Sequence, residues 1–230
     1  MQQQYQLDLS FENSSSCNLI PFIDGIPHQP YSETTVVPNT VGTYSRISKM
    51  VKSDLGGDRL LGLDYGAGHG LGADVMRELL GAQVDTYEPQ PLKWKSEVDP
   101  VFTRNVQMDD CKYDFLTAVN VVNVLEKHIR DSVVVDIFNK LKKGGRAYLG
   151  VRTFSADVNK TKNKREADEH KAVWVKKRHK TLDIEVFHKG WDGNEFVDYL
   201  QGLLGDGAIV QKKKIAATGA IIEKVGNLTL

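Results

Sequence analysis

Residues 60–90, LLGLDYGAGHGLGADVMRELLGAQVDTYEPQ, decide how the rest of the chain is read. Residues 60–65 are a short apolar run carrying one acid, Asp64, and glycines follow at 66, 68, 70 and 72. Residues 71–80 then place Leu71, Val75, Met76, Leu79 and Leu80 at helical spacing, and Gly81 stops the run. Residues 83–88 read as a second strand, ending at Glu88. A strand that breaks into a glycine turn and feeds a helix aims backbone N–H groups and the positive end of the helix dipole at a ligand. Glycine permits the close approach and the positive φ that such a turn needs. An acid at the end of the following strand is placed to accept both hydroxyls of a ribose.

Two registers compete over this turn. Gly68-x-Gly70-x-x-Ala73 matches a dinucleotide fingerprint. That register leaves Gly66 stranded between the strand and the first motif glycine, and it sets Asp64 beside a pyrophosphate, which is repulsive. The other register is Asp64-x-Gly66-x-Gly68-x-Gly70, with Glu88 about 20 residues on. It puts a carboxylate where a ligand ammonium group can be met.

Around this unit the chain alternates strand and helix. A helix is expected over 45–55, a short strand over 101–103 and a strand buried on both faces over 113–120. A helix over 126–142 would be stopped by Gly144 and Gly145, and a strand over 146–152 follows. Parallel βαβ units with helices on both faces are implied. The remainder predicts a hairpin of 171–175 with 181–187 around the charged turn KKRHK. A helix over 194–204 capped by Asp192 follows, then a terminal antiparallel hairpin of 209–215 with 219–225. Residues 155–171 have linker-like composition and read as a mobile loop. Residues 1–44, with four prolines, read as an arm or lid ahead of one domain over 45–230, with a basic insertion over 155–190.

Composition narrows the partners. The 230 residues carry 30 Lys+Arg and 30 Asp+Glu, so any case for nucleic acid must be local. Residues 160–180 make that case with nine Lys/Arg, which suit a phosphate backbone or, equally, a solvated loop. No apolar run approaches the roughly 18 residues that span a bilayer, so no membrane partner is expected. Cys17 and Cys111, without metal-ligand spacing, read as free thiols. Together with an N-terminus unlike a signal peptide, they read as cytoplasmic.

The ordered set of segments resembles the class I S-adenosylmethionine-dependent methyltransferases. LDYGAGHG is similar to their first motif and YEP to the end of their second strand. YDFLTAVNVVNVLE resembles their fourth strand, and KLKKGGRAYLGVRT the lead into the fifth. The resemblance covers roughly residues 45–225. It implies a mostly parallel, twisted seven-stranded α/β sheet with a terminal antiparallel hairpin, and S-adenosylmethionine as cofactor. It implies Gly66, Ala67, Gly68 and Gly70 around the methionine moiety, Asp64 near its amino group, and Glu88 on the ribose diol. Pro89 or Gln90 would flank the adenine, and Asn105, Asp109 or Asp110 would approach the adenine amine. Asn120 would lie beside the reacting methyl. Asn123 and Arg152 join it as polar candidates on the acceptor side, although either asparagine also suits a helix cap and Arg152 a plain surface position. Tyr44 and Arg46 would close over the cofactor. YSRISKM and FHKGWDGNEFVDYL are more faintly similar to small microbial and phage-type methyltransferases.

The acceptor stays open as N or O. The (Asp/Asn/Ser)-Pro-Pro-(Tyr/Phe) motif of nucleobase-amine enzymes is replaced by Asn120-Val121-Val122-Asn123, and no cysteine sits in the Pro-Cys context of cytosine-C5 enzymes. Two other activities fit the same residues: an enzyme that degrades S-adenosylmethionine without transfer, and a non-catalytic nucleic-acid-binding module.

Overall fold

The computed structural model describes residues 22–23, 26–27, 37–56, 59–89, 91, 94–179 and 182–228. Two short strands, β1 (Phe22–Ile23) and β2 (Ile26–Pro27), pair antiparallel ahead of helix α1 (Val37–Leu55). That helix starts well before the expected 45. Pro38 falls in its first turn, where a missing N–H breaks no intrahelical bond.

The central sheet has six strands. In chain order they are β3 (Leu61–Tyr65), β4 (Gln83–Tyr87), β5 (Tyr113–Val119), β6 (Leu141–Val151), β10 (Ala208–Lys212) and β11 (Thr218–Lys224). Their spatial order is β10-β11-β6-β5-β3-β4. The pairs β3–β4, β3–β5 and β5–β6 are parallel, whereas β11 runs antiparallel to both β6 and β10. The expected doubly wound sheet with a terminal antiparallel hairpin is therefore present.

Its seventh strand is not. Residues 101–103 make a single parallel bridge, Phe102 to Tyr87, rather than a strand. Pro100 precedes it without an N–H to offer a ladder, and the Val101 N–H is taken by the Thr86 hydroxyl at 3.1 Å.

Side-chain alternation builds the two cores. On β5 and β6, Phe115 and Tyr148 face one side while Leu116 and Leu149 face the other. The first side buries Tyr44, Ile47 and Val51 of α1 with Ala73 and Met76 of α2 (Leu71–Leu80). The second buries Val134, Ile137 and Phe138 of α3 (Lys127–Lys140) with Phe196, Leu200 and Leu204 of α4 (Gly193–Leu204). Asp192 caps α4 as expected, its carboxylate accepting from the Asn194 and Glu195 amides. The glycine pair does not stop α3, which ends at Lys140. Gly144 and Gly145 lie inside β6 at an irregularity in its pairing with β5. A Cβ on Gly145 would crowd the carbonyls of Lys142, Tyr113 and Asp114 at 2.9–3.1 Å, so the bulge requires glycine there.

The basic insertion is an ordered three-stranded antiparallel sheet. It comprises β7 (Lys164–Glu166), β8 (Ala172–His179) and β9 (Leu182–Lys189), preceded by one wide helical turn at Phe154–Val158. Within the expected loop, 155–171, only the helical turn and β7 are regular, and turns and bends make up the rest. KKRHK is not a turn: residues 176–179 continue β8, and the reversal falls after His179.

Candidate functional site

The glycine turn leaves β3 and curls back onto β4. The amides of Gly66 and Ala67 both donate to the Tyr87 carbonyl, at 2.8 and 3.0 Å, and Gly68 N–H donates to Glu88 Oε2 at 2.8 Å. Gly66, Gly68 and Gly70 have φ of 73°, 61° and 81°. A Cβ on Gly66 would stand 2.6 Å from the Val121 side chain, so the turn presses against the residues that follow β5. This is the crevice between β3 and β5, where the sheet order reverses and where α/β sheets bind ligands. Gly70 precedes α2 and offers no side chain to cap it, which suits an outside acceptor at the first turn.

Asp64 lies wholly buried beneath the turn. Its Oδ1 accepts from the Tyr44 hydroxyl at 2.8 Å and from Thr117 Oγ1 at 2.6 Å, while Oδ2 has no hydrogen-bond partner among the described residues. Burial pushes its carboxyl up to about 6, opposed by the two hydroxyls. Burial and the Asp64 charge also raise the Tyr44 phenol well above its ordinary value. Tyr44 is therefore a strut between α1 and the turn. Arg46 points elsewhere, donating to the Ile215 carbonyl at 2.6 Å.

On the expected adenine side, Pro89 is half-buried after β4, and Gln90 lies outside the described residues. Asn105 sits in a short 3₁₀ turn, its amide nitrogen donating to Asp136 Oδ2 at 2.6 Å. Asp110 is paired with Lys140 at 2.7 Å, and Asp109 is an exposed partner of Lys112. Of these three candidates, Asn105 alone is drawn towards the sheet, at 3.4 Å from the Tyr65 hydroxyl on β3. A strap the sequence did not flag crosses the turn here. The Lys95 and Ser96 amides donate to the His69 carbonyl, and a Cβ on Gly70 would meet Trp94 and Ser96 at 2.6–2.7 Å.

The acceptor-side candidates gather at the carboxyl ends of β5 and β6. Asn120 has φ of 59°, its N–H donates to the Gly150 carbonyl at 2.8 Å, and its Oδ1 is buried. Asn123 lies fully buried in the 3₁₀ turn Val122–Val124, which packs against β9. Arg152 is half-buried just beyond β6, its carbonyl accepting the Trp191 N–H at 3.0 Å.

The insertion is fastened over this end by a cluster absent from the sequence reading. Arg130 is buried, pairs with Glu169 at 2.6 Å, donates to the Leu125 carbonyl, and lies 5.1 Å over the Trp191 ring. Lys189 stands 4.5 Å over the same ring and pairs with Glu195 at 2.7 Å. His188, Lys189 and Trp191, just past the expected hairpin, were the visible signal, read as substrate-side residues with packing an equal reading for Trp191. No spacing rule joins it to Arg130, 61 positions away.

Solved structures share this architecture. The PH0226 protein from Pyrococcus horikoshii superposes with a TM-score of 0.61 at 12% identity, covering 81% of this chain and 91% of that one. A sugar N-methyltransferase from Streptoalloteichus gives 0.56 at 11%, covering 82% and 88%. A 1,6-didemethyltoxoflavin-N1-methyltransferase from Burkholderia thailandensis, solved with its substrate and S-adenosylhomocysteine, gives 0.51 at 14%, covering 78% and 76%. No family model matches the sequence. No curated protein matches it either. The chain has the class I methyltransferase fold. No helix among the described residues is long and apolar enough to cross a membrane.

Proposed function

We propose that the protein is an S-adenosylmethionine-dependent methyltransferase acting on an N or O acceptor. The observation that carries this reading is Glu88, which closes onto the Gly68 amide and so stands at the mouth of a turn backed by a buried Asp64. The residues fit the cofactor. Glu88 would accept the ribose hydroxyls, and Gly66, Ala67, Gly68 and Gly70 would line the methionine moiety. Asp64 would offset its ammonium group from below, and Pro89 and Asn105 would bound the adenine. When bound, S-adenosylmethionine supplies a methyl group already activated by a sulfonium.

The chain's own work is then orientation, which removes much of such a barrier without a strong base. Asn120 Oδ1 accepts an N–H or O–H of the acceptor and aligns its lone pair with the methyl. Bound there, the cofactor would supply the methyl group, and Asn120 and the residues of the glycine turn would hold acceptor and donor in line, the acceptor's proton leaving to water.

Titration calorimetry with S-adenosylhomocysteine tests the reading. Binding by the wild type, weakened about 10- to 100-fold in Glu88→Ala, is expected from the loss of hydrogen bonds to a charged group. Unchanged affinity in the variant would end the ribose assignment, and no binding at all would end the enzyme reading.

The insertion supports a nucleic-acid partner more narrowly. Two of its acids are engaged, Glu169 by Arg130 and Glu185 by Arg165, while Lys160, Lys162, Lys164 and Lys176 are exposed. Affinity for a labelled single-stranded oligonucleotide should fall with salt, by a log–log slope of about 0.7 per phosphate contacted. Alanine at those four lysines should flatten that slope. With Cys111 exposed and unbridged, the working compartment is read as reducing and cytoplasmic.

A further inference from the structure

Buried polar atoms without hydrogen-bond partners concentrate at one place in the described residues. Asn123 is wholly buried, and neither its Oδ1 nor its Nδ2 is bonded. Asn120 Oδ1 and Trp191 Nε1 are in the same state. Asn120 ends β5, and Asn123 lies three residues on in the turn against β9. Trp191 bridges Thr153, just beyond β6, as the chain returns from the insertion. Folding leaves such atoms unpaired only at a cost in stability, and native chains keep few of them. A cluster of them at the mouth of a parallel sheet is the mark of a site that a ligand completes.

We propose that Asn120, Asn123 and Trp191 form an acceptor subsite that takes a neutral carboxamide-type group. The site offers both donors and acceptors. Asn123 Nδ2 and Trp191 Nε1 donate to a carbonyl oxygen, while Asn123 Oδ1 and Asn120 Oδ1 accept from the amide N–H groups. A carboxylate brings no hydrogen for the two side-chain oxygens, and an ammonium brings no acceptor for the two donors. Arg130 adds a third donor, its buried Nε, while its two Nη groups are held by Glu169 and the Leu125 carbonyl. Arg152 is the nearby cation that would favour a carboxylate instead. The subsite's part in methyl transfer rests on the function proposed above, but its binding chemistry does not.

The test uses benzamide and benzoate as matched probes on the full chain, read by thermal unfolding. Saturating benzamide should raise the wild-type midpoint by about 2–4 °C, and benzoate should not. In Asn123→Leu the benzamide shift should vanish. The unliganded midpoint of that variant should rise by about 2–4 °C, because two unsatisfied atoms are replaced by apolar ones. Asn123→Ala guards against overpacking: if it keeps or raises the midpoint while Asn123→Leu lowers it, the subsite stands. Loss of stability in both variants would make Asn123 a structural amide and overturn the proposal. So would a benzoate shift equal to or larger than that of benzamide, or a benzamide shift that survives in both variants. Calorimetry of the wild type with S-adenosylhomocysteine judges the cofactor reading separately, so either can fail alone.

Discussion

Asp64 joins the glycine turn to α1 through one oxygen and carries the clearest titration in the site. Burial raises its carboxyl from the ordinary 3.8 to about 6, so the folded chain holds this proton more tightly than the unfolded chain does. The sign follows: the contribution to stability is fully present below about pH 4 and is lost as pH rises through about 6. Asp64→Asn keeps an oxygen for Tyr44 and Thr117 and loses the titration. Urea unfolding between pH 4 and 7 should therefore show the wild type losing on the order of 3 kcal/mol relative to the variant. A parallel pair of curves would remove Asp64 as the titrating group. Binding of an ammonium-bearing cofactor would favour the charged carboxylate. Affinity for S-adenosylhomocysteine should accordingly rise from pH 5 to 7 in the wild type and not in Asp64→Asn.

At the scale of elements, α1 and α2 meet edge-on at a glycine. A Cβ on Gly72 would run into the Tyr44 ring, which the Asp64 hydrogen bond holds in place. Gly72→Ala should cost about 1–3 kcal/mol by overpacking, read as a lower urea midpoint. Gly202 is the opposite case: it lies inside α4 with nothing near the position of a Cβ. Gly202→Ala should stabilise by up to about 1 kcal/mol through helix propensity. The pair separates glycines kept for close approach from glycines that are merely tolerated. Helix α1 shows what the element pattern hid. The sequence marks its apolar face from Ile47, and its earlier turns follow only once Tyr44 has a buried partner 20 positions later.

For the whole molecule, the question is what holds the three-stranded insertion over the carboxyl ends of β5 and β6. Arg130 on α3 reaches Glu169 in the insertion and the Trp191 ring, and Lys171 and Lys189 reach Glu195 on α4. Arg130→Ala leaves Glu169 without its cation and opens space beneath Trp191. Breaking a buried pair from one side costs about 3–5 kcal/mol. Hydrogen exchange should rise across β7–β9 in this variant while β3–β6 keep their protection. Equal loosening of the central sheet would mean that the insertion and the core are a single cooperative unit.

The doubly wound sheet and the glycine turn were legible in the chain itself because both rest on short-range spacing. An acid two residues before glycines at i, i+2 and i+4 and an acid ending the next strand state their chemistry locally, and apolar periodicity assigns α2 and β5. Other features depended on contacts between distant residues. The expected seventh strand is reduced to the Phe102 bridge, and a bulge took the glycine pair expected to stop α3. The basic segment became a sheet because Val173 and Val175 found Val158 and Phe154 to bury against. Tyr44 on Asp64, Arg130 on Trp191 and the unpaired amide of Asn123 could emerge only from tertiary structure. A hydrogen bond or a desolvated amide is a property of what the fold places beside a residue, and linear spacing carries no record of it.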